Sequence, residues 1–196
     1  TGYVKLTFPD ENLEVYADIA SDDSRANIVD LRAHWDHSIG YLIGYKKYFS
    51  INDLVFLTGT EYLTTRISNT YKSEFYRGMP NQNSFYAKRE FDYFTYKGRR
   101  MGAHSGSSSD DLIFLFGVNK NNSILLFSIN FERHGIKSMQ YPEKKNEFSV
   151  ILKHDISSNH RVILKLEYEK IDNFSFINQK ESLGKLLWLN YSYFFR

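Results

Sequence analysis

Cysteine is absent from the 196 residues, so neither a disulfide framework nor a thiolate metal site is available to this chain. Three prolines leave little to interrupt regular backbone. No stretch of 18 apolar residues occurs, which excludes a membrane-spanning helix but says nothing against membrane-spanning strands. A formal net charge of +2 is too near balance to mark a nucleic-acid binder. A helical stripe of period 3.6 is almost missing as well.

What the chain has in quantity is aromatic. Its 15 Tyr and 16 Phe raise the aromatic share to 17% within a 42% hydrophobic total, and such residues favour strands over helices. Alternation with period two then marks nine strand candidates. They cover residues 3–8, 13–20, 38–49, 53–67, 110–118, about 125–132, about 148–153, about 162–169 and about 187–195. The clearest sets Leu125, Phe127, Ile129 and Phe131 against Ser128, Asn130 and Glu132. Residues 110–118 are apolar on both faces and carry no direction by themselves.

The connections alternate strictly between short and long. The short ones are Pro9 to Asn12, Ser50 to Asn52, Asn119 to Asn122 and Ser157 to Asn159. Between them lie segments of about 17, 42, 14 and 10 residues, the pattern of an up-and-down barrel with short periplasmic turns and long outer loops. A Greek-key sandwich has no reason to sort its loops by parity. The expected fold is therefore all-β, an antiparallel up-and-down transmembrane β-barrel in a bacterial outer membrane. Nine is an odd count for such a barrel, and the text opens at Thr1 directly on strand-like residues. The expectation is one segment over residues 1–196, the C-terminal half of a barrel of roughly 16–18 strands, with further strands upstream. A soluble β-sandwich with one wet face is the competing architecture, since it shares the period.

The longest loop, about residues 69–109, interleaves Tyr71, Phe75, Tyr93 and Tyr96 with Arg77, Arg89, Arg99 and Arg100 among others. Aromatic faces beside guanidinium forks suit sugar rings and acidic groups. The same residues also suit a plain loop core with cations turned to lipopolysaccharide phosphate or solvent. Its segment Tyr96-Lys97-Gly98-Arg99-Arg100-Met101-Gly102-Ala103-His104 lacks the spacing and strand-to-helix context of a nucleotide loop.

That segment, followed by Asp110-Asp111 opening a strand, resembles the Gly-Arg-x-x-Gly-His motif of Wzi-type capsule-assembly outer-membrane proteins, with Ala103 inserted before His104. Glu14 to Ala20 with Asp22-Asp23, leading to Asp36-His37-Ser38-Ile39-Gly40-Tyr41, and Glu61-Tyr62-Leu63-Thr64-Thr65 are also similar to that family. The resemblance implies a non-enzymatic barrel that associates capsular or exopolysaccharide with the cell surface, without cofactor. Its expected partners are surface polysaccharide, outer-membrane lipid and lipopolysaccharide, and other envelope proteins, with no nucleic acid. Tyr93, Tyr96, Arg99, Arg100 and His104 are the glycan-binding candidates, with Trp35, Asp36 and His37 as a second patch.

Other chemistry is poorly supplied. His34 and His37 flank Trp35-Asp36, and Asp22-Asp23 and Asp110-Asp111 could hold calcium, but such residues more often bond to backbone or stay solvated. No metal site is expected. Ser105 to Ser109 contain no Gly-x-Ser-x-Gly elbow. Glu14, Asp18, Glu132, Glu167 and Glu169, beside Lys5, Lys46, Lys153 and Lys165, are expected to form a structural charge network on a polar inner face. The alternative functions are a structural platform in a multi-protein envelope or secretion complex, and a soluble carbohydrate-active β-protein.

Overall fold

The structure is a computed structural model that describes residues 2–21, 28, 39–65, 95–96, 99–100, 108–136 and 139–195. Nine strands form one antiparallel sheet in the order β1-β2-β3-β4-β7-β8-β9-β10-β11, each beside its neighbour in sequence. They are β1 (Gly2–Phe8), β2 (Leu13–Ser21), β3 (Ile39–Ile51), β4 (Leu54–Thr64), β7 (Asp110–Lys120), β8 (Ser123–His134), β9 (Glu143–Ser157), β10 (His160–Asp172) and β11 (Glu181–Tyr193). A two-residue ribbon, β5 (Thr95–Tyr96) with β6 (Arg99–Arg100), stands apart within the β4–β7 connection. The sheet is an open meander: β1 and β11 are its edges, and it is not closed into a barrel.

The short turns form where asparagine can take a left-handed backbone at little cost, since its side chain hydrogen-bonds locally. Asn12, Asn52 and Asn121 sit at φ 47, 52 and 51. The fourth turn, at Ser157 to His160, ends in a register shift between His160 and Arg161. The carbonyls of Asn12, Asn122 and Asn159 each accept an N–H from the next hairpin, those of Tyr48, Asp155 and Phe194, at 2.9 Å. These bonds tie successive hairpins together at the turn end.

The long connections are shorter than expected on one side of the sheet. β9 starts at Glu143, so the β8–β9 link is residues 135–142 rather than about 14 residues. The run Glu143-Lys144-Lys145-Asn146-Glu147 carries no apolar alternation and reads as loop, yet Lys144 to Glu147 each pair in register with both β8 and β10, and Glu143 pairs with β8. Neighbouring strands extended it.

Following the register across the sheet sorts the side chains into two faces. One face carries Leu13, Val15, Ala17 and Ile19 on β2, Leu112, Phe114, Phe116 and Val118 on β7, and Leu187, Leu189, Tyr191 and Tyr193 on β11. This also settles the direction of β7, whose Ile113 and Leu115 lie on the other face. Stacked and tilted rings run through the apolar face, with Phe49–Phe56 centroids at 5.1 Å, Phe56–Phe116 at 6.1 Å and Phe116–Phe127 at 6.3 Å. Cross-strand aromatic pairs of this kind contribute about 0.2–1 kcal/mol each. The opposite face carries Glu14, Tyr16, Lys46, Glu61, Glu132, Lys145 and Glu169.

Burial is inverted relative to a water-soluble sheet. Glycines aside, Ile39 at 9% exposure is the one buried apolar residue among the described ones, whereas Asn130, Glu132, Ser149, Asp111 and four others are buried polar groups. Leu187 and Leu189 stand 70% and 67% exposed. In water each such side chain left open forgoes about 1.5–3 kcal/mol of burial. Hydrocarbon removes that cost.

The apolar run also drifts along the strands. Leu13, Phe116 and Leu187 belong to one register row. Leu13 ends the run of β2 on its turn side, Phe116 lies inside that of β7, and Leu187 ends the unbroken run of β11 on its loop side, where Lys185 separates it from Leu183. The run therefore shifts by about six residues in the seven steps from β2 to β11. At about 3.3 Å per residue and 4.8 Å per strand, the strands cross the apolar band at roughly 30°.

The polar face is fitted closely around its glycines. A Cβ on Gly44 would lie 2.7 Å from Tyr16 Cζ and 2.9 Å from the Thr60 carbonyl oxygen. Gly44→Ala is expected to cost about 1–3 kcal/mol through overpacking, whereas Gly2→Ala, where a Cβ meets nothing within 4 Å, stays within roughly 0.5 kcal/mol. Unfolding of the two variants side by side checks this, and equal effects would contradict the packing described.

Candidate functional site

The loop end of the sheet is where the sequence places its chemistry. β4 and β7 deliver both ends of the long connection to one point, because Thr64 stands opposite Asp110 in their register. There the backbone is stitched: Thr65 N–H donates to the Ser109 carbonyl at 2.9 Å, Ser108 N–H to the Thr65 carbonyl at 3.2 Å, and Ile136 N–H to the Ser108 carbonyl at 3.0 Å. Thr65 Oγ1 and Ser109 Oγ lie 2.9 Å apart, and Ser109 N–H donates to Thr65 Oγ1 at 3.2 Å. Ser108 takes a left-handed backbone at φ 53 as the chain enters this neck. Thr65, Ser108 and Ser109 are fully buried.

Asp110 binds the neck to its neighbours. Its Oδ1 accepts from Thr64 Oγ1 at 2.7 Å and from the Tyr62 hydroxyl at 3.3 Å, while Arg133 pairs with Oδ2. Bonds to a charged acceptor are the stronger kind, so this carboxylate holds β4, β7 and β8 together where the longest loop departs. The segments 61–65 and 110–111, set side by side in the sequence reading, meet here in space. A third segment reaches the first of these on the opposite, polar face, where the Tyr16 hydroxyl donates to Glu61 Oε2 at 2.8 Å and the Tyr16 ring covers Gly44. Lys46 Nζ stands 5.6 Å above that ring. Tyr16, Lys46, Gly59, Glu61 and Leu115 line a shallow cavity of about 200 Å³.

A charge network occupies the polar face of β8, β9 and β10. Lys145 Nζ is its hub, 3.3 Å from Glu132 Oε1, 2.9 Å from Glu147 Oε2 and 3.1 Å from Glu169 Oε2. Glu132, 3% exposed, also accepts from Asn130 Nδ2 at 2.7 Å and lies 2.8 Å from His134 Nε2. Lys5 pairs with Glu14 at 3.2 Å, and Lys165 pairs with Glu167. Glu14, Glu132, Glu167 and Glu169 are thus engaged by cations and amides, as a structural network requires, whereas Asp18 has a buried Oδ1 without a hydrogen-bond partner. No group of metal-binding side chains occurs among the described residues. Lys145 and His134 are members that alternation alone does not identify, because both lie past the last apolar residue of their strand.

The nominated glycan residues are placed only in part. Tyr96 and Arg99 are directly paired in the ribbon, as are Thr95 and Arg100. Tyr93, His104, Trp35, Asp36 and His37 lie outside the described residues. Comparison of the chain with family models, with curated proteins and with solved structures finds no match.

Proposed function

We propose that this sheet is one sector of a transmembrane β-barrel in a bacterial outer membrane, completed by further strands at β1 and β11. Its loop end would associate capsular or exopolysaccharide with the cell surface. The observation that carries this reading is the drifting apolar face. An unpartnered apolar band is stable in lipid, and strands that cross it at roughly 30° approach the tilt of about 35–45° found in outer-membrane barrels. Edge backbone groups have no water to bond in hydrocarbon, so β1 and β11 need partners there. A soluble carbohydrate-active sheet would instead need a second layer over Leu187 and Leu189.

The stitched neck at Thr65, Ser109 and Asp110 fixes where the two ends of the long connection leave the sheet, which a binding loop requires. Polysaccharide would lie against the loop bearing Tyr93, Tyr96, Arg99, Arg100 and His104, its rings on the aromatic faces and its acidic groups on the guanidinium forks. The chemistry is recognition, with no catalytic step. Purified protein with Arg99→Ala plus Arg100→Ala is expected to bind acidic capsular polysaccharide at least about tenfold more weakly, from the loss of charge-assisted hydrogen bonds. Unchanged binding would remove this loop as the site. Stoichiometric co-purification with other envelope proteins, together with no polysaccharide binding, would favour the platform function.

A further inference from the structure

The loop-side boundary of the apolar band carries a line of cations. On β8 the band ends at Phe131 and the next position on that face is Arg133; on β10 it ends at Tyr168 and Lys170 follows; on β11 Lys185 interrupts it between Leu187 and the exposed Leu183. On β9, Lys144 stands directly across from Arg133. These four do not share one register row. Lys170 lies two residues and Lys185 four residues further toward the turn end than the row of Arg133 and Lys144, so the line descends with the band itself.

Two further observations give the line a direction. The turn-side boundary of the same four strands carries Ser123, His154, His160 and Phe195 in place of lysine or arginine. Within the line, Arg133 is paired with Asp110, and Lys170 with Asp172 at 3.0 Å and Glu181 at 3.1 Å. Lys144 and Lys185 are exposed and form no ion pair among the described residues.

We propose that this line is a binding strip for a phosphate-bearing lipid of the leaflet on the loop side, with Lys144 and Lys185 as its principal phosphate ligands. The proposal rests on the membrane reading. Cations placed one position past the apolar run, or two as Lys144 is beyond Phe148 and Asn146, meet headgroup phosphates, and long lysine stems lie along the apolar surface while their ammonium groups reach the interface. Acyl chains of the same lipid would pack on Phe131, Tyr168 and Leu187, so one molecule would meet charge and apolar surface together. In the outer leaflet a glycolipid bearing two phosphates has this chemistry.

The test uses the protein purified in neutral detergent, with native mass spectrometry counting bound lipid. The probes are bisphosphorylated lipid A and the same lipid with its phosphates removed. The protein is expected to prefer the phosphorylated form, and Lys144→Gln plus Lys185→Gln to weaken that form about 30-fold, roughly fivefold for each lysine. Lys47→Gln plus Lys120→Gln, far from the strip, is expected to bind as the parent does. Equal binding of the two lipids, or a Lys144/Lys185 variant that binds like the parent, would overturn the strip. A protein that stays monodisperse in water without detergent would instead overturn the membrane reading beneath it.

Discussion

Arg in place of Leu166 is expected to lower the stability of the bilayer-inserted protein by about 2–4 kcal/mol, the cost of a cation near the midplane of an outer-membrane barrel. Leu166 lies within the apolar run of β10 and stands between Val150 and Leu187 in the register. Tyr168→Arg, at the loop-side end of the same run, is expected to cost only about 0–1 kcal/mol, because the guanidinium can reach the interface. Reversible denaturant unfolding from vesicles reads both. On a water-facing sheet the two would be alike, since Leu166 and Tyr168 are comparably exposed, and each would change stability by less than about 0.5 kcal/mol. A gradient of cost along one strand face is a property of lipid.

Lys145→Met is expected to be costly from the other side of the sheet, by about 3–5 kcal/mol. Lys145 is the shared cation of Glu132, Glu147 and Glu169, and the Glu132 side chain is almost fully enclosed. Removing one member of an enclosed charge cluster leaves the others uncompensated, which costs more than the pair contributed. Adding Glu132→Gln to Lys145→Met should recover part of the loss, because it removes the most enclosed of the carboxylates. Unfolding midpoints of the parent, the single and the double variant measure this. A Lys145→Met protein as stable as the parent would show that the network is solvated.

Much of the architecture was legible because two independent signals coincided. Period-two alternation located all nine strands, and loop parity put the Asn12, Asn52 and Asn121 turns at one end. The misses have a common physical origin. Glu143 to Glu147 looked like loop because alternation detects only the apolar face, whereas this stretch is held in the sheet by two neighbours and by Lys145. β7 had no readable direction because Ile113 and Leu115 are apolar on the polar side, where Leu115 lines the cavity beside Tyr16 and Glu61. The neck at Thr65, Ser108 and Ser109 depends on contacts across more than forty residues of sequence, and no local pattern announces those. Of the glycan candidates, the Tyr96, Arg99 and Arg100 backbone alone is placed; Tyr93, His104 and the Trp35, Asp36, His37 patch fall outside the described residues.

The central claim is that this sheet crosses lipid at a tilt, with its apolar face outward. A chain without cysteine allows single spin labels at Leu13, Phe116 and Leu187, which share one register row, and at Ser128 on the polar face. Paramagnetic depth measurement in reconstituted bilayers is expected to find the three row labels in hydrocarbon. Leu13 and Leu187 should differ in depth by about 17 Å, with Phe116 between them and Ser128 in contact with water. Row labels that all face water, or that all lie at one depth, would contradict it.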